Sequence, residues 1–118
     1  MATRYIPTPI MHRAVEHGGL VFLGGIVADD KSLGMKGQTE QILAKLGTYL
    51  AQAGSDRSRV LAATIYVTDL GLKDEMNEAW VAWFGAENLP ARATVGVAQL
   101  GKDTLLEVVV TAYVDNAR

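Results

Sequence analysis

Two ionisable residues near the C-terminus, Arg92 and Glu107, have the types and surroundings best suited to chemistry. They lie in the stretch 89–114, where two β-type runs flank a Gly-Lys-Asp turn. An arginine presents two parallel N–H donors that match a carboxylate, and it stays charged at any working pH. A carboxylate at an apolar interface loses hydration, which raises its pKa and makes it a usable general base. Together the two suit a small carboxylate substrate attacked by water. A structural salt bridge at an interface is the alternative that these residue types leave open.

The composition narrows the chemistry. The chain of 118 residues has no cysteine, which excludes disulfides, thiolate nucleophiles, cysteine zinc sites and iron–sulfur clusters. The acidic pair Asp29-Asp30 suggests a metal, but no other acidic residue or histidine stands beside it at ligand spacing. We therefore expect this pair to lie in a solvated loop, and no metal site is predicted.

Charge and hydropathy limit the possible partners. A formal net charge of −2 gives no broad attraction to polyanions, so nucleic-acid binding has no electrostatic support. No run approaches the roughly 20 apolar residues of a membrane span, so no membrane partner is predicted. The N-terminal residues lack the basic cap and apolar core of a signal peptide, which favours a cytoplasmic location.

The chain reads as one domain, residues 1–118, because it shows no linker, low-complexity tract or internal repeat. Gly18-Gly19 between two extended runs predicts a hairpin, since glycine tolerates positive φ. Gly24-Gly25 ends the next run and indicates either a β-bulge or turn, or a place where a ligand approaches the backbone. Strands are predicted at 12–17, 20–24, 60–68 and twice within 89–114, with helices at 38–53 and about 73–84 and a short extended piece at 3–6.

This order of elements predicts an α+β two-layer sandwich. Hairpins at both ends make the sheet mixed, and two helices can cover only one of its faces. In the last strand one set of alternate residues is wholly apolar and should pack under the helices. The opposite set is also too apolar for free solvent, which predicts burial in a homo-oligomer. The helix-facing set is Leu106, Val108, Val110, Ala112 and Val114, and the opposite set is Leu105, Glu107, Val109, Thr111 and Tyr113.

The same alternation predicts the faces of the candidate residues. In the strand before the last, Val95 and Val97 match the helix-facing side. This places Arg92 and Thr94 on the open face, the face that also carries Glu107.

The register of the C-terminal stretch then separates the two ionisable residues. A hairpin turn near Gly101-Lys102 would place Gly96 opposite Glu107. Arg92 would lie roughly 13 Å from Glu107 at the usual strand rise, too far for one small pocket within a single hairpin. If both serve one substrate, they most simply come from different subunits.

Several segments resemble the signature of the RidA (YjgF-like) family. Its pattern PAR-S/T-x-V, followed by V/I-E-I/V, is similar to Pro90–Val95 and Leu106–Val108, and Glu107 keeps the family's spacing of 15 residues from Arg92. Further similar segments are Thr64–Leu70, Met76–Glu78, Gln38–Gln41 and Ala53-Gly54.

The resemblance implies a chorismate-mutase-like fold and a homotrimer with ligand clefts between subunits. It also implies hydrolysis of 2-imino acids, and of enamines such as 2-aminoacrylate, to 2-oxo acids and ammonia, with no metal or organic cofactor. By position, Arg92 would hold the substrate carboxylate and Glu107 would activate the attacking water. Gly24 and Thr94 would line the cleft. Asn77 matches a family cleft position, although its residue type alone indicates a partly exposed helix asparagine.

The chain departs from the family pattern at two places in the pocket. The segment 10–15 lacks the usual aromatic residue and has Met11 instead, and Gly24-Gly25-Ile26 replaces S-G-Q, which removes a hydroxyl. His12 could supply a polar group, or it could be a surface histidine of the strand. These changes leave a second function open: a non-catalytic protein that binds small carboxylates or regulates through the same cleft.

Overall fold

A single mixed β-sheet of six strands carries both α-helices on one of its faces. The computed structural model describes residues 1–115. The predicted α+β two-layer sandwich is confirmed, and the short N-terminal extended piece is a sixth strand. The elements are β1 (Thr3–Pro7), β2 (His12–His17), β3 (Leu20–Ile26), α1 (Met35–Gln52), β4 (Val60–Val67), α2 (Lys73–Phe84), β5 (Ala91–Gly96) and β6 (Leu106–Tyr113).

The N-terminal half of the sheet is built from consecutive antiparallel strands. The turn at Gly18-Gly19 joins β2 to β3, and both glycines have positive φ, at 62° and 85°. This confirms the predicted hairpin, because those backbone angles are open to glycine at little cost. At the other end of β3, the register against β6 shifts between Leu23 and Ile26, so Gly24-Gly25 lies in a β-bulge.

The predicted C-terminal hairpin is wrong. The strand order is β1-β2-β3-β6-β4-β5, so β5 and β6 are not neighbours. Instead β5 pairs in parallel with β4, and β6 lies between β3 and β4, antiparallel to both. The physical reason is that α2 returns the chain for a parallel β4-α2-β5 unit, and the long connection after β5 then crosses β4.

The hydrophobic core lies between the sheet and the two helices. Ile42, Leu46 and Leu50 recur at helical spacing as an apolar stripe on α1, and all three are fully buried. In α2 the Trp80 and Phe84 rings pack with their centroids 4.8 Å apart. Among residues 1–115, no helix combines the length and the hydropathy that a membrane span needs.

The opposite face of the sheet is not covered by any of residues 1–115. In β6 the predicted alternation is confirmed, since Leu106, Val108, Val110 and Ala112 are buried under the helices. On the other face Phe22 is 49% exposed, and Val109 and Tyr113 are 37% and 38% exposed. A contiguous apolar surface of this kind is typical of a protein–protein interface.

One buried polar side chain, Gln38 of α1, fixes the approach to β6. Its amide nitrogen donates to the carbonyl oxygens of Leu33 and Asp103, each at 3.0 Å. Its amide oxygen accepts from the backbone N–H of Leu105, also at 3.0 Å. Gln38 is fully buried, so it holds the backbone two residues before Glu107 in one position.

Replacing Gln38 with leucine should therefore destabilise the fold. The change leaves one N–H and two carbonyl groups without their partner, which should lower the free energy of unfolding by about 2–4 kcal/mol. Urea denaturation at one fixed protein concentration measures the loss. Gln52→Leu, at the exposed C-terminal end of the same helix, is the control and should change stability by less than about 0.5 kcal/mol. A loss in Gln38→Leu no larger than in this control would contradict the role given to Gln38.

Candidate functional site

Arg92 lies on the helix-facing side of the sheet, not on the open face. It pairs with Ala63 in the parallel β4–β5 ladder, and Thr94 pairs with Ile65. Ala63 and Ile65 are buried under the helices, and partners in a ladder share a face. The predicted face of Arg92 and Thr94 is therefore wrong. The prediction took the apolar Val95 as helix-facing, whereas Val95 pairs with Tyr66 and is 41% exposed on the open face.

The guanidinium of Arg92 rests against a buried aromatic ring. Its carbon Cζ lies 5.6 Å from the centre of the Trp80 ring, within the range of a cation–π contact. Trp80 is only 2% exposed and is held by its packing on Phe84. Desolvation at this edge lowers the pKa of Arg92, but an arginine remains a cation throughout the working pH range.

A cleft opens beside this arginine. It has a volume of about 330 Å³ and lies between the end of α2 and the start of β5. Asn77, Trp80, Pro90 and Arg92 are among the residues that line it. Asn77 stands one helical turn before Trp80, so the two side chains share a face of α2.

Asn77 brings an amide to the same cleft. Its oxygen Oδ1 is buried and has no hydrogen-bond partner within residues 1–115. A buried polar atom in a folded protein usually has a hydrogen-bond partner, which can be an ordered water or a ligand. Asn77 is partly buried and lines the cleft. We call Arg92, Asn77 and Trp80 the arginine half-site; Thr94 lies two residues further along the same face of β5 and is not among the residues that line the cleft.

Glu107 lies on the opposite, open face of the sheet. It pairs with Tyr66 of β4 across the antiparallel ladder. On its other side its carboxylate lies over the backbone of Gly25, in the bulge of β3. Gly24, the neighbouring residue, faces the thioether of Met11, whose sulfur would lie 3.6 Å from a Cβ at that position. We call Glu107, Gly25, Gly24 and Met11 the glutamate half-site.

The two half-sites are far apart in one chain. Arg92 pairs with Ala63 and Glu107 with Tyr66, so they differ by three residues along β4 and lie on strands at either side of it. At about 3.3 Å per residue and 4.8 Å per strand, their backbones are roughly 14 Å apart, and they face opposite sides of the sheet. The predicted separation is thus confirmed although the predicted pairing is not. A single chain brings Arg92 and Asn77 to one cleft, and it places Glu107 over Gly25 with Met11 at the adjacent Gly24, but it does not join the two groups.

The remaining candidate residues take no part in either half-site. Asp29 accepts a hydrogen bond from Lys45 at 2.9 Å, which lowers the pKa of that carboxyl. His12 is an exposed residue of β2. Within residues 1–115, no three His, Asp or Glu side chains are grouped as a metal site requires. A further cleft of about 430 Å³ at the end of α1 is lined by Tyr5, Glu16 and other residues outside both half-sites.

Sequence reasoning missed two members of the site. Trp80 is a buried core residue, and its contact with Arg92 was not predicted from the sequence. Its position three residues after Asn77, on the same helix face, was the available signal. Gly25 was considered only as part of a glycine pair, and its specific relation to Glu107 depends on a bulge that the sequence does not show.

Comparison with known proteins shows the family of the chain. A family model described as Endoribonuclease L-PSP matches residues 6–114. A RutC family protein of Haemophilus ducreyi is 32% identical over 116 residues, which cover 98% of this chain and 99% of that protein. The chloroplastic Reactive Intermediate Deaminase A of Arabidopsis thaliana is 33% identical over 102 residues, which cover 81% of this chain and 54% of that longer protein.

Solved structures show the same fold. A member of the YjgF protein family from Neisseria meningitidis superposes with a TM-score of 0.91 at 36% identity and covers 99% of this chain and 98% of its own. A member of the YjgF/YER057c/UK114 family from Mycobacterium tuberculosis superposes with a TM-score of 0.86 at 28% identity and covers 97% of this chain and all of its own. With the family model matching nearly the whole length, the chain belongs to the RidA (YjgF-like) family.

Proposed function

We propose that this protein is a deaminase that hydrolyses 2-imino acids and their enamine tautomers to 2-oxo acids and ammonia. One observation carries the proposal. Arg92 points a guanidinium at an open cleft, and no carboxylate within residues 1–115 forms a salt bridge with it. A partly desolvated arginine without an acidic partner is a natural binding group for the carboxylate of a small ligand.

The arginine half-site supplies binding and orientation. Trp80 supports one face of the guanidinium, so less side-chain freedom is lost when a carboxylate binds to its donor edge. The side chain of Asn77 lines the same cleft and brings an amide, which can donate or accept a hydrogen bond, to a ligand such as an imine. A cleft of about 330 Å³ is near the lower end of small-molecule sites, which suits a short amino-acid-derived substrate.

The glutamate half-site supplies the base. Glu107 accepts a proton from a water molecule while the water oxygen adds to C2 of the imine. The C2–N bond of the resulting carbinolamine then breaks and forms the 2-oxo group. Both protons of the water end on the departing nitrogen, one of them through Glu107, so imine and water yield 2-oxo acid and ammonia.

A homotrimer would bring the two half-sites together. Within one chain they are roughly 14 Å apart, so a small substrate cannot touch both. The uncovered apolar sheet face, with Phe22, Val109 and Tyr113 exposed, offers the surface on which subunits would associate. In this arrangement each cleft takes Arg92 from one subunit and Glu107 from its neighbour.

The names of relatives point in two directions. The Arabidopsis relative is named a reactive intermediate deaminase, which agrees with the proposal. The family model is described as an endoribonuclease, but a net charge of −2 gives this chain no general attraction for RNA. The chemistry of the two half-sites favours the small carboxylate.

A second candidate is a protein that binds 2-oxo or 2-imino carboxylates without turning them over. The glutamate half-site favours this candidate in one respect. At position 24, where the family pattern has a serine, this chain has a glycine that faces the thioether of Met11, so this residue offers no hydroxyl to hold the attacking water.

A coupled assay distinguishes the two candidates. Imines are generated freshly from several amino acids by an amino-acid oxidase, and the release of 2-oxo acid and ammonia is followed with and without the protein. Acceleration above the spontaneous rate is the expected result. Binding of 2-oxo acids, measured by calorimetry, without acceleration would support the binding protein. Neither binding nor acceleration would reject both candidates.

A further inference from the structure

Gly25 has no backbone reason to be a glycine. Its φ lies outside the left-handed region, unlike that of Gly18, which has a φ of +62° in the hairpin turn. An alanine could therefore adopt the backbone conformation of residue 25 without strain. The reason for the glycine must be sought in what surrounds it.

A side chain at position 25 would meet Glu107. A Cβ built there would overlap the carboxylate of Glu107, and it would lie 2.8 Å from Cδ and 3.2 Å from Cγ of the same side chain. Its three nearest atoms thus all belong to one residue. Carbon atoms normally approach to about 3.5–4.0 Å, so a Cβ at 25 and the present position of the carboxylate exclude each other. The end of a glutamate is flexible, so Glu107 would move and the strands would stay in place.

The bulge in β3 creates this relation. Leu23 and Ile26 both point into the core, although strict alternation would place them on opposite faces. The extra residue between them allows Gly25 to lie beside Glu107 on the open face. On its other side Glu107 pairs with Tyr66 of the neighbouring strand β4. The Glu107 carboxylate therefore lies over Gly25, a neighbour that has no side chain.

We propose that Gly25 is a positioning residue for catalysis: the absence of a side chain at this point of the bulge reserves the space in which the Glu107 carboxylate works. The inference rests on the proposed function for its catalytic consequence. Its structural part, the dependence of the carboxylate position on residue 25, stands independently of any substrate.

The test begins with Gly25→Ala. The Arg92 half-site is untouched, so KM should stay within about threefold, whereas kcat should fall about 100-fold, the scale of a misplacement of about 1 Å. Gly34→Ala is the control, because Gly34 also lacks a positive φ and has no atom within 4 Å of a Cβ. This control should retain kcat, and both variants should keep the thermal midpoint of the wild type.

Non-additivity shows whether Gly25 acts through Glu107. In a Glu107→Gln background, which has already lost the base, adding Gly25→Ala should reduce kcat by less than about threefold further. A full 100-fold further loss in that background would overturn the proposal, because it would show a role independent of the carboxylate. Unchanged kcat in the single Gly25→Ala variant would overturn it as well.

A crystal structure of Gly25→Ala separates this inference from the deaminase proposal. A displaced Glu107 carboxylate over an unchanged backbone supports the positioning role, even if the wild type hydrolyses no imine. Two outcomes would reject it. In the first, the Glu107 carboxylate stays in its original place; in the second, β3 and β6 move apart while Glu107 keeps its place relative to β6.

Discussion

Arg92→Ala is expected to lower the kcat/KM of imine hydrolysis by about 30-fold or more while the fold persists. The substitution removes the charged, two-pronged donor that the cleft offers to the substrate carboxylate. Losing one partner of a desolvated charge pair costs about 2–5 kcal/mol, which corresponds to a fall in kcat/KM of about 30-fold to several thousandfold. The cavity remains lined by Trp80 and Asn77, and Arg92 makes no salt bridge within the described part of the chain that the fold would lose.

Arg92→Lys tests whether a positive charge alone is sufficient or whether the forked geometry of arginine is needed. Lysine keeps the positive charge but cannot present two parallel donors, and it stacks less well on the Trp80 ring. We expect a partial loss, with kcat/KM between those of the wild type and Arg92→Ala. If lysine restores full activity, a simple charge is sufficient and the forked geometry is unimportant.

The chain offers a matched control for both variants. Arg57 lies 5.5 Å from the centre of the Trp83 ring, a contact like that between Arg92 and Trp80, but at an exposed site away from the cleft. Arg57→Ala removes an arginine stacked on a tryptophan without touching either half-site, and it should leave kcat/KM within about twofold. Steady-state assays at matched protein concentration compare the variants, and the thermal midpoint of each verifies folding. Equal activity of Arg92→Ala and Arg57→Ala would refute the role assigned to Arg92.

The elements of this fold could be predicted because their signals are local. The apolar stripe of α1, the glycine turn between β2 and β3 and the alternation in β6 each depend on residues close in sequence. The uncovered apolar face also followed from alternation, because Val109 and Tyr113 had to point away from the helices.

The pairing of the last strands could not be predicted in the same way. The turn near Gly101 signals a change of direction, but it does not say which strand the chain meets next. Here β6 pairs with β3 and β4, and β5 is left at the sheet edge. The predicted face of Arg92 was wrong for another reason: the apolar Val95 was taken as helix-facing, although the open face of this sheet is apolar too. The predicted separation of Arg92 from Glu107 was right, because either pairing places several residues or strands between them.

The residues of the site could likewise be predicted from the sequence only in part. Arg92 and Glu107 could be recognised from residue type and spacing, since few other side chains offer the required chemistry. The support of Arg92 by Trp80 and the space that Gly25 leaves for Glu107 are tertiary relations. Both depend on which helix or strand packs beside the residue, so a single sequence contains no direct signal for them.

Mixing two inactive variants should restore activity if each cleft is shared between subunits. Arg92→Ala retains Glu107, and Glu107→Gln retains Arg92, so neither variant alone can build a complete cleft. When equal amounts are unfolded together in urea and refolded, subunits associate at random. A cleft that takes Arg92 from one subunit and Glu107 from the next is then complete in about one case in four.

The expected outcome is about a quarter of the activity of wild-type protein refolded in the same way. Each variant refolded alone provides the baseline, and size-exclusion chromatography with light scattering measures the oligomeric state of the mixture. Activity that stays at the baseline in a correctly assembled mixture would mean that both residues must come from the same chain. The structure makes that outcome unexpected, because within one chain the two residues face opposite sides of the sheet.

A second mixture, which contains wild-type protein, tests the same arrangement of subunits. Wild type is refolded with an equal amount of the double variant Arg92→Ala/Glu107→Gln. Clefts contained in one chain would keep about half of the activity, whereas clefts shared by two chains would keep about a quarter. This twofold difference requires that a cleft lacking either residue contributes almost no activity, which each single variant refolded alone verifies. Agreement of the two mixtures at a quarter would establish that the arginine and glutamate half-sites of neighbouring subunits form one active site.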